Sequence, residues 1–164
     1  MKWFLAIAAA AVLAGFVYWQ RQAVKVSYVN GLATYNQLPG REYIFQRDCY
    51  IFTLDDHRSS WPLVGDHEVV PALPAAADPA NVGQPVAGAR LIDFVRVGSR
   101  FKLVSVRRDE SRTGTSISFE ILFLDEAERK YPRLDAYFIM DHTPEARGEA
   151  PGILERYAVE RVKF

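Results

Sequence analysis

TSISFEILFL, residues 115–124, is the stretch that decides the fold. Every second side chain in it is apolar, and these side chains belong to Ile117, Phe119, Ile121 and Phe123. The polar residues between them are Ser116, Ser118 and Glu120. Because neighbouring side chains of a strand point to opposite faces, this alternation predicts a strand with one face in the core and the other in solvent.

Similar short stretches on both sides of this strand, separated by turns rich in glycine and proline, predict seven or eight strands in all. Such a series is typical of a small antiparallel β-barrel or sandwich. Residues 98–124 resemble in outline the hairpins of bacterial SH3-like barrels. Near the start of the series, Asn30 and Gly31 follow a strand predicted over 23–29, and they indicate a hairpin turn with a return strand over 32–35.

Two helices are predicted in the later part of the chain. A short helix over 125–131 begins with acidic residues and ends with basic ones, which suits the helix dipole. Beyond it, one face of a C-terminal helix over 153–164 would hold Ile153, Leu154, Tyr157, Ala158 and Val162. Residues 157–164 also fit a final strand.

Residues 71–88 form a segment of different composition, with four prolines, several alanines and few β-branched residues. Proline cannot donate to a sheet ladder, so this segment is not a central strand. The part between the first apolar segment and residue 71 is too short for a separate domain without disulfides. We therefore predict one β-rich domain over 23–164 that carries a long Pro/Ala-rich loop at 71–88.

An uncharged segment, WFLAIAAAAVLAGFVYW at residues 3–19, precedes this domain. As a helix it would extend for roughly 25 Å, close to the thickness of a bilayer core of about 30 Å. Residues 1–22 are therefore predicted to be a membrane anchor or a cleaved signal segment. The anchor predicts a single-pass protein of a bacterial inner membrane with its domain in the periplasm. Cleavage would instead leave a secreted or periplasmic protein.

The composition excludes several classes of partner and cross-link. Lysine plus arginine equals aspartate plus glutamate at 20 each, so no overall positive field attracts nucleic acid. Cys49 is the single cysteine, which excludes an intramolecular disulfide. Since Cys49 begins an apolar run, we expect a buried and unreactive thiol.

Each of the three histidines, His57, His67 and His142, directly follows an aspartate. Imidazoles oriented by carboxylates are typical of zinc and other transition-metal sites. The spacing matches no metal signature, however, and aspartate is common in turns. A metal site formed by these three residues is thus an alternative to solvated loop histidines, and no cofactor is predicted.

A local excess of positive charge lies at residues 90–112, where seven basic and three acidic residues give a net charge of +4. If these strands pair, basic side chains on one face would suit an anionic glycan, a lipid headgroup or an acidic partner. Trp61, in a loop, is either a stacking platform or a plug for the end of the barrel. The predicted binding residues are Trp61, Arg96, Lys102, Arg107 and Arg108.

Three functional hypotheses follow. The sequence contains no G-x-S-x-G elbow and no glycine-rich phosphate loop, so the first is a non-catalytic, membrane-anchored module that binds another envelope protein or an envelope polymer. The second is a metal-dependent or hydrolytic enzyme that uses the Asp-His pairs. The third is an exported inhibitor or immunity-type protein that blocks an enzyme by shape, with Trp61 or the basic face as its interface.

Overall fold

A computed structural model describes residues 12, 25–55, 61–86, 88–111, 114–125 and 130–161. The structure is 45% strand and 9% helical, which confirms the prediction of a mainly β protein. The predicted membrane or signal segment at 3–19 lies outside the described residues except for Val12. Among the residues that are described, no helix has the length and apolar character needed to cross a membrane.

The described strands, numbered in chain order, are β1 (Lys25–Tyr28), β2 (Glu42–Phe45), β3 (Cys49–Leu54), β4 (Leu63–Gly65), β5 (Pro85–Val86), β6 (Ala89–Val95), β7 (Arg100–Ser111), β8 (Gly114–Phe123), β9 (Leu134–Asp135), β10 (Met140–Asp141), β11 (Gly152–Ile153) and β12 (Ala158–Glu160). Short 3-10 helices cover Pro79–Asn81, Tyr137–Ile139 and Pro144–Arg147. The long stretch quoted from the sequence is β8, as predicted.

Ten of these strands form one sheet, and nine of them follow the order β12-β2-β7-β8-β9-β4-β3-β6-β5. The tenth, β1, pairs with β7 along the same edge as β2, but farther along β7. The pairs are antiparallel except for β4 with β9, which are parallel at Leu63 and Asp135. The end strands β12 and β5 do not pair with each other in the described part of the chain. Over the described residues the sheet is therefore mixed rather than purely antiparallel, and it does not close into a barrel, which is one of the two architectures predicted from the sequence.

An irregularity in β7 decides which side chains face which way. Leu103 pairs with Ile121, but the next pair is Ser105 with Glu120, so Val104 is an extra residue in β7. A bulge of this kind reverses the alternation of faces along a strand. Consequently Leu103 and Val106 both lie in the core, whereas Ser105 and the odd-numbered residues after it point to the other face.

Two hydrophobic clusters hold the sheet together, and β3 contributes to both. Cys49 and Ile51 belong to the larger cluster, which also contains the aromatic side chains of β2, β7 and β8. Tyr50 and Phe52 belong to the smaller cluster, with Leu63 and Leu91 among its members. Because alternate side chains of β3 are buried on opposite faces, this strand lies inside the molecule rather than on its surface.

The hairpin predicted at Asn30 and Gly31 does not form, because β1 pairs with a distant strand. Val29 N–H donates to Val106 O at 3.0 Å, and Asn30 Oδ1 accepts from Val106 N–H at 2.6 Å. The Asn30 side chain thus ends the β1–β7 ladder, and residues 30–40 continue as turns without a return strand. The prediction of a strand over 32–35 is wrong.

The predicted C-terminal helix is also wrong, and the alternative of a final strand is confirmed at 158–160. β12 pairs with β2, with Ala158 opposite Phe45. Beside it, Tyr157 is fully buried, and its hydroxyl donates to Asp66 Oδ1 at 2.5 Å. These tertiary contacts outweigh the weak helical periodicity of the segment. The helix predicted over 125–131 lies mostly outside the described residues, since 126–129 are not among them.

The Pro/Ala-rich segment is held against the sheet through the hydroxyl of Tyr50. This hydroxyl donates to Ala76 O at 2.7 Å, and it accepts from Asp78 N–H at 2.9 Å and from Asn81 Nδ2 at 2.8 Å. Leu73, near the start of the segment, is buried in the smaller cluster. The segment is therefore a surface cover of the β3–β6 region, at least over the described residues 71–86 and 88.

Cys49 is buried as expected, and we predict that it does not react in the folded protein. Its side chain is inaccessible, and burial raises the pKa of the thiol, so the nucleophilic thiolate does not form at neutral pH. A thiol reagent such as iodoacetamide should label it only after denaturation in guanidinium, as measured by mass spectrometry. A Cys49→Ser variant is the blank, and rapid labelling without denaturant would contradict the prediction.

Candidate binding site

The face of the sheet opposite the main core carries a buried polar layer on β7 and β8. Glu120 is completely buried, although the strand pattern predicts that it faces solvent. Its carboxylate accepts hydrogen bonds from Ser105 Oγ, from Trp61 Nε1 at 3.2 Å and from Arg133 Nη1 at 2.9 Å. A buried carboxylate needs such donors to offset the loss of water. Glu120 therefore fixes the position of Trp61 above the sheet.

Trp61 lies between guanidinium groups. The Arg107 guanidinium carbon is 5.9 Å from the centre of the Trp61 ring, and that of Arg133 is 5.6 Å from it. Both distances fall within the range of cation–π attraction. Trp61 is half-buried and covers the polar layer. Its role as a stacking platform or as a plug stays a prediction.

Arg107 is itself buried and paired. Its Nε donates to Asp109 Oδ1 at 2.8 Å, and its Nη2 makes a second hydrogen bond to Asp109 Oδ2. The hydrogen bonds that Arg107 donates to this carboxylate raise the pKa of Arg107 further, so the guanidinium stays charged. The two side chains are two residues apart on one strand and so share a face. This fork-to-carboxylate pair joins Trp61 to the outer part of the sheet.

The same face continues onto β1, which is an edge strand. Val26 lies opposite Asp109, and Tyr28 lies opposite Arg107. The side chains of Val26 and Tyr28 are 51% and 58% exposed, which is high for apolar residues of a sheet. These two exposed side chains lie beside the buried Arg107 on the same face of the sheet, and we call them, with the backbone of β1, the β1 surface.

The backbone of β1 offers unpaired groups at its outer edge. In an antiparallel ladder, alternate residues turn their N–H and C=O toward and away from the partner strand. Val29 N–H donates to Val106 O of β7, so the backbone N–H and C=O groups of Ser27 and Lys25 also face β7. The N–H and C=O groups of Val26 and Tyr28 consequently point outward, and β1 pairs with β7 alone among the described strands.

The other predicted basic residues are dispersed rather than gathered. Lys102 shares the face of Arg107, whereas Arg108 lies on the opposite face and pairs with Glu110 at 3.0 Å. Arg96 is exposed after β6 and lines a separate cleft of about 420 Å³. The structure thus brings Arg107 to Trp61, but it does not bring Arg96 or Arg108 there.

The histidines have separate surroundings. His67 Nδ1 is 2.7 Å from Leu73 O, and His142 lies 2.9 Å from both Glu145 Oε2 and Tyr137 O. His57 lies outside the described residues. Within those residues, no group of three histidine, cysteine, aspartate or glutamate side chains is arranged to hold a metal ion. The metal-dependent alternative stays a prediction that depends on His57.

Sequence reasoning missed three residues of the polar layer, namely Ser105, Glu120 and Arg133. Glu120 had one available signal, because it is the only charged residue in the quoted strand. Ser105 and Arg133 had no such signal. Ser105 faces Glu120 because of the bulge at Val104, and Arg133 reaches it from the loop before β9. Comparisons of the chain with protein-family models, with curated proteins and with solved structures found no match.

Proposed function

We propose that this protein is a non-catalytic, membrane-anchored binding module of a bacterial envelope, with its domain in the periplasm. Its partner is another envelope protein that adds an extended segment to the outer edge of β1. The single observation that carries the proposal is the β1 surface, where outward backbone groups and two exposed apolar side chains occur on one edge strand.

Strand addition uses both of these features. The partner's backbone pairs with the outward N–H and C=O groups of Val26 and Tyr28, which supplies affinity. Every second side chain of the added strand then lies beside Val26 and Tyr28, which supplies specificity. Natural proteins usually protect such an edge with charges, proline or a bulge. β1 carries one charge, on Lys25, and its outer positions are apolar or aromatic.

The position of β1 in the chain supports an envelope partner. Residues 20–24 are all that separates the predicted anchor at 3–19 from the first residue of β1. A fully extended connection of that length spans at most about 18 Å. A retained anchor would therefore hold the β1 surface close to the membrane, where a membrane protein or its periplasmic segment can reach it.

A photo-crosslinking experiment tests the proposal in the full-length membrane protein. A photoreactive amino acid at position 28 should yield one dominant adduct with a different protein. Val26→Pro should abolish this adduct, because proline lacks the outward N–H and leaves the β1–β7 bonds intact. We expect at least a tenfold loss of adduct, measured on immunoblots at equal protein levels.

The matched control is Glu160→Pro on β12, the edge strand at the end of the sheet. Glu160 is exposed, and its backbone N–H also points away from its partner strand, since Arg161 N–H donates to Glu42 O. This variant should keep the adduct. No adduct at position 28, an adduct only between two copies of the chain, or equal losses in both proline variants would contradict the proposal.

A further inference from the structure

Asn30 and Gly31 form a sequence pair whose chemistry strand addition at β1 does not use. They occupy the centre of a turn directly after β1, which Leu32 N–H closes by donating to Val29 O at 3.0 Å. Neither Asn30 nor Gly31 has a positive φ angle, which excludes the hairpin turns of types I′ and II′. The pair therefore lies in an ordinary turn at the surface, where its backbone can move without breaking a strand.

The side-chain amide of Asn30 is polarised at its oxygen and unbound at its nitrogen. Oδ1 accepts from Val106 N–H at 2.6 Å, and this donor is fixed by β7. A fixed donor at a carbonyl oxygen stabilises the negative charge that the oxygen gains when a nucleophile attacks the carbon. Nδ2 forms no hydrogen bond with the described residues, so the group that would leave is not held.

The backbone nitrogen of Gly31 is the nearest nucleophile, and the fold leaves it accessible. Within the described part of the chain, Gly31 N–H has no hydrogen-bond acceptor. Gly31 is exposed, and a Cβ added to it would meet no atom within 4 Å. Rotation toward the Asn30 side chain opens the turn bond from Leu32, a residue that is itself 51% exposed. An attack from the adjoining residue needs no second molecule to be brought into place.

The other two asparagines have more hindered surroundings. Asn81 precedes Val82, whose branched side chain crowds the backbone nitrogen, and Val82 N–H is already bonded within the 3-10 helix. Asn81 Nδ2 also donates to a tyrosine hydroxyl at 2.8 Å, so both reacting groups are held. Asn36 precedes Gln37, which likewise places a side chain beside the nitrogen. Asn30 is therefore the asparagine at which attack by the next residue is least hindered.

We propose that Asn30 is a modification site that deamidates in the folded protein to aspartate and isoaspartate. Gly31 N loses its proton to hydroxide and bonds to Asn30 Cγ, which closes a succinimide ring. The Cγ–Nδ2 bond breaks, and Nδ2 takes up a proton and leaves as ammonia. Water then opens the ring at one of its two carbonyl carbons. Opening at Cγ gives aspartate, opening at the main-chain carbon gives isoaspartate, and neither route needs an oxidant or a reductant.

The two products differ in their effect on β1. Aspartate keeps an oxygen at the position of Oδ1, and its charge strengthens the hydrogen bond from Val106 N–H. Isoaspartate carries the chain through Cγ, which adds a CH2 group to the backbone and shifts both the turn and the acceptor of Val106 N–H. Val106 is fully buried at the end of the β1–β7 ladder, so this shift should loosen β1. A resulting loss of partner binding rests on the proposed function, whereas the modification itself does not.

Incubation of the folded, detergent-solubilised full-length protein at mildly alkaline pH, followed by digestion and tandem mass spectrometry, tests the proposal. Asn30 should show the mass change of NH2 to OH, with both aspartyl and isoaspartyl products. Asn36 and Asn81 should convert about tenfold more slowly or less. Gly31→Ala should slow the conversion of Asn30 about tenfold, because the methyl group crowds the attacking nitrogen, and the open space around Gly31 leaves the fold intact.

Hydrogen exchange of the Val106 amide, measured by NMR, is the second readout. It should be about tenfold faster or more in the isolated isoaspartyl form. Asn30→Asp, which has the charge but not the longer backbone, is the matched control and should show no acceleration. Conversion of Asn30 only after unfolding in urea, equally fast conversion of Asn81, no effect of Gly31→Ala, or equal exchange in the two product forms would overturn the proposal. None of these results depends on the crosslink at position 28, so a failure here is distinct from a failure of the proposed function.

Discussion

Glu120→Ala is expected to destabilise the folded domain by about 3 kcal/mol or more, because buried donors lose their acceptor. Glu120 is fully buried and accepts from Ser105, Trp61 and Arg133. Arg133 is 43% exposed at its side chain and can turn to solvent, so most of the cost falls on the other two donors. Urea unfolding followed by circular dichroism measures the change in the free energy of unfolding.

Two further variants separate the buried interaction from a general effect of losing an acid. Glu120→Gln keeps the shape of the side chain and one acceptor oxygen, so it should lower the free energy of unfolding by about half as much. Glu110→Ala removes a half-exposed carboxylate on the neighbouring strand and should cost less than about 0.5 kcal/mol. If Glu120→Ala were no more destabilising than Glu110→Ala, the polar layer would not hold Trp61 in place.

Asp66→Ala is expected to lower the free energy of unfolding by about 3 kcal/mol, because a buried hydroxyl loses its acceptor and the partly exposed Arg47 loses one of its two carboxylate partners. Asp66 is 6% exposed, and it joins distant parts of the chain. Its carboxylate accepts from the Tyr157 hydroxyl at 2.5 Å and from Glu68 N–H at 2.9 Å, and it pairs with Arg47 Nε at 3.1 Å. Removing it leaves the Tyr157 hydroxyl buried without an acceptor.

A double-mutant cycle with Tyr157→Phe measures the direct part of this interaction. Tyr157→Phe alone should cost about 1–2 kcal/mol, since the carboxylate keeps its other donors. The two changes together should cost less than their sum, because both remove the same hydrogen bond. Glu149→Ala, an exposed acid paired with Arg147, is the control and should be near neutral. Additive effects would show that Asp66 and Tyr157 act separately.

The sequence predicts β8 correctly but not the burial of its polar face. Alternation shows that Ser118 and Glu120 share a face opposite Phe119. It does not show whether a distant loop covers that face. Trp61 comes from the segment before β4, 59 residues from Glu120 in sequence, and Arg133 comes from the segment before β9, 13 residues from Glu120. The polar residues of β8 therefore predict a solvent-exposed face, whereas in the structure this face is buried.

The sheet order and the site were harder to predict for a related reason. The turn signal at Asn30 and Gly31 is local, whereas the pairing of β1 with β7 is set by contacts far along the chain. The extra residue Val104 leaves no recognisable mark in the sequence, yet it decides that Arg107 faces Trp61 and Arg108 does not. Trp61 and Arg107, two of the predicted binding residues, lie close together in the structure, and their role in binding stays a prediction. The strand at β1 was predicted from the sequence, but its pairing with β7 was not.

The pairing of β2 with β12 has a consequence for how the protein is made. These strands are more than a hundred residues apart in sequence. In the same way, β1 can pair only after β7 has been synthesised. A growing chain therefore cannot complete its sheet until residue 160 has left the ribosome, and such long-range closure is slow. Until then the apolar side chains of the unpaired strands remain exposed to water, and an incomplete chain of this kind is prone to aggregate.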